Sequence, residues 1–115
     1  MHEMSLVADV VDLVERRTTG RHVTEVRLRV GALTGVLPDA MQFCFEMATA
    51  GTRLEGASLE LETVPGRIAC RTCGAESPCD DHVLLCGCGS ADVSVVAGDD
   101  LVVTAVALRK ESACA

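Results

Sequence analysis

Two close cysteine pairs, Cys70-Arg71-Thr72-Cys73 and Cys86-Gly87-Cys88, have the residue type and spacing of a metal site. Twelve residues separate them. Tetrahedral Zn(II) takes four soft donors at about 2.3 Å, and two chelating turns joined by a short excursion supply them. Gly74, Gly87 and Gly89 allow the tight backbone such turns need. Six of the seven cysteines lie at or beyond Cys70, five of them between Cys70 and Cys88. An odd count in a chain whose opening is not a signal peptide argues against a disulfide framework and for metal. A thioredoxin-like redox pair would sit at a helix start, and no helical pattern follows Cys73. Residues 67–90 also hold few large apolar side chains, so zinc would supply their folding free energy, on the order of 10 kcal/mol or more. The expected ligands are Cys70, Cys73, Cys86 and Cys88. Cys79 and His82 stand as alternative donors, because only one residue separates Cys86 from Cys88. Cys44 falls on a helical stripe, as a small buried hydrophobe would. Cys114 lies in a polar tail and reads as a spare thiol.

The opening Met1-His2-Glu3-Met4 offers a chemically different donor set. A histidine near a free terminus is ordinarily a solvated residue. Here its bulk should block removal of Met1, which keeps the α-amine beside the imidazole. An amine, an imidazole and intervening deprotonated amides form a nitrogen set suited to square-planar Ni(II) or Cu(II). Glu3 adds a carboxylate, and a helix beginning near Met4 would hold the segment to a folded body.

These sites need elements to position them. Leu6, Val7, Val10, Val11, Leu13 and Val14 recur at the spacing of one helical face, which predicts a helix over 5–17. Val26, Leu28 and Val30 alternate with polar residues in a half-buried strand over 24–31. Pro38 suits a first helical turn, and Met41, Cys44, Phe45 and Ala48 form a second stripe closed by Gly51. Residues 58–64 alternate again, and their acidic face, Glu60 and Glu62, would pair with Arg27 and Arg29 if the strands are neighbours. Val93–Val96 and Leu101–Leu108 read as a hairpin across Gly98-Asp99-Asp100, with the last strand apolar enough to be central and expected to return to the sheet containing residues 24–30 and 58–64. The fold class is therefore α+β, a small sheet with two helices plus an inserted zinc-ribbon-like module. Residues 1–65 and 98–115 would form the first domain, and 66–97 the insertion.

Bulk properties exclude several functions. The formal charge of −7 repels nucleic-acid phosphates and anionic lipid. No stretch approaches the roughly 20 apolar residues of a membrane span, and the acidic opening is no signal peptide. The chain is expected in the cytosol. Between Arg67 and Asp92, two basic residues face four acidic ones with no aromatic side chain to stack on bases. That disfavours the rival reading, a zinc ribbon serving as a nucleic-acid- or protein-binding adaptor. No nucleophile–base pair or phosphate-cradling loop points to an enzyme.

Several of these segments resemble one known family, the HypA/HybF nickel-insertion proteins of hydrogenase maturation. Its members open with Met-His-Glu before a hydrophobic helix, matched by Met1-His2-Glu3-Met4-Ser5-Leu6. Val26 to Leu33, Phe43-Cys44-Phe45-Glu46, Gly51-Thr52 and Glu55-Gly56-Ala57 are similar to its strand, second helix and turn. Cys70-x-x-Cys73, Cys88-Gly89-Ser90 and the closing strand Gly98 to Val106 extend the likeness over nearly the whole chain. One departure stands out: the family's second pair is normally Cys-x-x-Cys, and here one residue is missing. The resemblance implies a nickel-binding domain, structural Zn(II), and Ni(II) cargo held through Met1, His2 and Glu3. It also implies transfer to a hydrogenase large subunit alongside a HypB-type GTPase, and leaves urease maturation proteins open as further partners.

Overall fold

The computed structural model of the chain describes residues 2–110, with the side chain of His2 left out. What was expected of the Met1 amine, the His2 imidazole and Cys114 therefore lies outside the described residues. The architecture is α+β. Helix α1 spans His2–Arg17 and α2 spans Pro38–Thr49. The strands are β1 (Val23–Gly31), β2 (Ser58–Val64), β3 (Arg67–Cys70), β4 (Glu76–Pro78), β5 (Val93–Ala97) and β6 (Leu101–Leu108). They form two three-stranded sheets, ordered β2-β1-β6 and β4-β3-β5.

The chain divides into two compact units. The first comprises Met1–Leu28, Leu37–Glu60 and Val103–Ala115. Its core is aliphatic, as the near absence of aromatic residues requires. Val7, Val10, Val11 and Val14 of α1 meet Met41, Cys44 and Phe45 of α2, with Val23, Val26 and Leu28 of β1 and with Leu54 and Leu59, all 7 % exposed or less. Phe45 is the one buried ring, and Phe43 is exposed. The stripe of α2 runs one residue further than its apolar positions suggest. Thr49 is buried, and its hydroxyl donates to the carbonyl of Phe45 at 2.7 Å, so its polar atom is satisfied within the helix. Pro38 occupies the first turn of α2, where a missing N–H costs nothing. Arg53 closes the unit's lower end, donating to the carbonyls of Glu15, Thr18 and Arg21.

The second unit comprises Arg29–Val36 and Leu61–Val102. It contains the 66–97 segment set apart in the sequence, together with a short 3-10 turn at Ala32–Thr34. β3 pairs antiparallel with β4 on one side and β5 on the other. Three backbone passages cross at van der Waals contact where the module's strands leave the first sheet. A Cβ on Gly31 would sit 2.1 Å from the carbonyl oxygen of Gly98, and one on Gly66 would sit 2.0 Å from that of Cys79. At Gly98 the φ of 85° and a Gly66 Cα only 2.5 Å from its hypothetical Cβ demand glycine twice over. Gly31 N–H donates to Asp100 O and Leu33 N–H to Gly98 O, both at 2.8 Å, and these bonds lock the crossing.

Two expectations need correction here. β5 and β6 do not form a hairpin: they lie in different sheets. Gly98-Asp99-Asp100 is a crossing rather than a turn, because β5 finds its partner in β3 while β6 returns to β1. Nor is β6 central. β1 is the middle strand and β6 an edge, so the uninterrupted apolar run of β6 reflects something other than burial on both sides. The acidic face of β2 does neighbour β1, and Glu62 accepts from Arg29 at 3.1 Å. Arg27 turns instead to Glu25 at 2.7 Å; that hydrogen bond raises its already high pKa, with a smaller contribution from Glu60.

Candidate metal centre

Each cysteine pair is shaped by its own backbone turn. The first follows β3, where the Cys73 N–H points at Cys70 Sγ (3.4 Å) and the Gly74 N–H donates to Cys70 O (3.0 Å). The second is a tight loop in which Gly89 N–H donates to Cys86 O and Cys86 N–H to Ser90 O, both at 2.9 Å. Gly89 closes it at φ 96°, a conformation that costs an L side chain steric strain. This turn absorbs the missing residue between Cys86 and Cys88. Side chains then tie the turns together: Thr72 Oγ1 lies 2.8 Å from Ser90 Oγ, and Arg71 donates to Asp92 at 2.9 Å.

All four Sγ atoms lie within 4.8 Å of one another. Cys70 meets Cys88 at 3.8 Å and Cys73 meets Cys86 at 3.6 Å. A tetrahedron of sulfurs bonded at about 2.3 Å to a central ion has edges of about 3.8 Å. The thiols are thus already spaced for Zn(II), and the soft S4 set fits it. Cys70 and Cys86 are buried while Cys73 and Cys88 are exposed, so an ion has a way in.

The alternative donors stay apart from this group. Cys79 is buried with its thiol donating to the carbonyls of Asp81 (3.4 Å) and Val83 (3.5 Å). Its N–H donates to Gly66 O, and Asp80 accepts from Gly66 N–H. Cys79 therefore anchors the 79–83 loop to the glycine crossing. His82 is exposed, with its imidazole Nε2 3.5 Å from where a Cβ on Gly35 would lie. Neither role could be read from residue type.

The turn that shapes the first pair also acts on the Cys70 thiol. The Cys73 N–H, followed by weaker donors that include Thr72, holds its pKa down at about 6, against an ordinary value near 9. A depressed pKa adds stability above the ordinary value, and that contribution is lost as pH falls through the depressed one. Zinc must displace any proton on its ligands. Chelator competition should show zinc affinity falling steadily as pH drops from 7 to 5, because protons compete with zinc for the thiolates. Constant affinity from pH 7 to 5 would contradict this.

At the other end of the chain, the α1 helix begins at His2 itself. The Glu3 carboxylate accepts a bond from the Leu37 N–H at 3.4 Å, which ties the start of α1 to the start of α2. Asp39, in the first turn of α2, is exposed two residues further on.

Comparison with known proteins now bears on both ends. A family model described as hydrogenase/urease nickel incorporation, metallochaperone, hypA matches residues 1–108. The chain belongs to the HypA family. The hydrogenase maturation factor HypA of Geobacter metallireducens is 47 % identical over 102 residues, 88 % of this chain and 93 % of that protein. HypA of Nostoc sp. is 37 % identical over 110 residues, 96 % and 97 % of the two chains. The solution structure of the Ni metallochaperone HypA from Helicobacter pylori superposes with a TM-score of 0.68 over 96 % of this chain and 100 % of that one. At 18 % identity, that last likeness speaks to the fold alone. HypA relatives are named as maturation factors and metallochaperones. Among the described residues, no helix is long and apolar enough to cross a membrane.

Proposed function

We propose that this HypA protein carries Ni(II) at its N-terminus and delivers it to the large subunit of a [NiFe]-hydrogenase. The observation that carries the reading is the family match, which includes the Met1-His2-Glu3 opening. The helix start supports it physically. The first four N–H groups of a helix have no intrahelical acceptor, so the amides of His2 and Glu3 can be deprotonated and bind metal without breaking α1. A helix N-terminus carries about half a positive charge, which by itself repels a cation. Loss of two amide protons, with the carboxylate of Glu3 alongside, outweighs that term. The amine of Met1, the imidazole of His2 and those amides complete a planar nitrogen set.

The four cysteines would hold Zn(II), whose chemistry here is to close residues 66–97 into a folded module between 1–65 and 98–115. A closed thiolate cage keeps its ion, whereas an exposed terminal site gives one up. Retention and delivery are thus assigned to different ends of the chain. A HypB-type GTPase is the proposed co-worker, in the cytosol, and the carrier itself performs no catalysis. The test is a calorimetric nickel titration with zinc assayed in parallel. His2→Ala should lose the specific nickel site and keep its zinc. Unchanged nickel affinity in His2→Ala would refute the assignment.

A further inference from the structure

Six of the chain's ten basic side chains, Arg16, Arg17, Arg21, Arg53, Arg109 and Lys110, belong to the end of the first unit where α1 stops. Hydrogen bonds to the backbone draw these segments together. Arg53 reaches the carbonyls of Glu15, Thr18 and Arg21, Arg21 donates to Arg109 O at 3.3 Å, and Arg109 N–H donates to His22 O at 2.8 Å. Acidic neighbours in the sequence are fewer: Asp12, Glu15, Glu55 and Glu111. A chain of net charge −7 thus carries a local excess of positive charge. Asp12 pairs with Arg16, and Glu15 lies 3.9 Å from Arg53. Arg17, Arg109 and Lys110 are exposed, and none of the three forms an ion pair among the described residues. The dipole of α1 accounts for Arg16 and Arg17 in its last turn, but not for Arg109 and Lys110, which follow a strand. Arg17 also walls a groove of about 210 Å³, whose other walls are Leu13 and Val14 of α1 and Val103 and Val106 of β6. We infer that this end of the molecule docks an acidic segment of a partner protein, seating an apolar side chain in the groove and carboxylates on Arg17, Arg109 and Lys110.

The chemistry of the surface selects this occupant. Five of the six basic residues are arginines, whose planar fork matches a carboxylate through two hydrogen bonds. An aliphatic groove beside unpaired guanidinium groups asks for a ligand with an apolar group next to its negative charge. No aromatic side chain lines the groove to stack on a base. The overall charge opposes the approach of a nucleic acid or an anionic bilayer, whereas a short acidic segment feels mainly the charges within a Debye length, about 8–10 Å. The surface also accounts for an apolar strand at a sheet edge, since Val103 and Val106 of β6 wall the groove. Its position leaves the other end of the helix open. The 16 residues of α1 span about 24 Å, so a partner docked here does not cover the Met1-His2-Glu3 opening.

The experiment is fluorescence anisotropy of labelled synthetic peptides titrated with the zinc-loaded full chain. The probe carries one leucine followed by three glutamates. One control peptide has glycine for the leucine, and the other has glutamines for the glutamates. Wild type should bind the probe saturably, and each control should bind about tenfold more weakly, since each removes half of the match. Arg17→Glu and Arg109→Glu should each weaken the probe by about tenfold as well, with helical signal and zinc content unchanged. Arg67→Glu, an exposed reversal in the second unit, should bind like wild type. A loss in Arg67→Glu equal to the others would mean that net charge alone is read, and would overturn the site. Absence of saturable probe binding overturns it too, as does tighter binding to a single-stranded oligonucleotide or to vesicles of anionic lipid. His2→Ala should bind the probe like wild type, which keeps this result separate from the nickel assignment.

Discussion

Replacing Cys73 or Cys86 with serine should release zinc and unfold residues 66–97, leaving helices α1 and α2 in place. The two residues face each other across the thiol cluster at 3.6 Å, and each comes from a different turn. Losing either opens the cage and removes the staple between the turns. The β4-β3-β5 sheet cannot compensate. Its strands are three, four and five residues long in that order, and Ile68 is the one large apolar side chain in β3 that is fully buried. Zinc binding worth on the order of 10 kcal/mol therefore decides whether the segment folds. Far-ultraviolet circular dichroism should keep its helical minimum, while amide exchange in 66–97 becomes fast. Cys79→Ser is the control. Its hydrogen-bonded thiol lies outside the cluster, so stoichiometric zinc should remain. Zinc loss in Cys79→Ser with full retention in Cys86→Ser would overturn the ligand set.

The second large effect should come from the backbone crossing. Gly31→Ala places a methyl group 2.1 Å from Gly98 O and 2.2 Å from Gly98 C. Both atoms belong to the main chain, and two hydrogen bonds hold that main chain in place, so it cannot yield as a side-chain tip can. Overpacking ordinarily costs about 1–3 kcal/mol, and a backbone clash belongs at or above the top of that range. For a domain whose whole stability is about 5–15 kcal/mol, this is a large fraction. Gly98→Ala should be at least as damaging, since it adds the strain of a positive φ. Gly87→Ala meets nothing within 4 Å and needs no left-handed backbone, so it should be close to neutral. Denaturant unfolding of zinc-loaded protein compares the three. Equal midpoints for Gly31→Ala and Gly87→Ala would mean that the crossing is not rigid.

The parts of the fold legible in the sequence are those set by local period. The stripe on α1, the alternation in β1 and β2, and the placement of Pro38 each follow from residues a few positions apart. What escaped was decided by partners far along the chain. Val93–Val96 and Leu101–Leu108 have the composition of a hairpin, yet the β4-β3-β5 sheet claims the first run, and only the return of the second run to the sheet of β1 and β2 was legible. β3 and β4 are too short to show a period at all. The same division holds in the site. Cysteine type and spacing picked out the four thiols that the fold brings together. Whether Cys79 joined them depended on carbonyls at Asp81 and Val83, which spacing does not reveal. The bond from Leu37 N–H to Glu3 spans 34 residues, so it was likewise invisible.

The central claim is that nickel is held by the free N-terminus and zinc is not involved. Its most direct test compares the unextended protein with one carrying a few residues ahead of Met1, in parallel nickel titrations followed by absorption spectroscopy. Extension converts the α-amine to an amide and leaves His2, Glu3 and all four cysteines in place. The account predicts one specific nickel per chain in the unextended protein, with the absorption of a planar nitrogen site. In the extended protein that band should be lost or shifted and affinity weakened, with one zinc per chain in both. Identical nickel spectra and affinities in the two proteins would contradict it, as would nickel binding that displaces zinc from the cysteines.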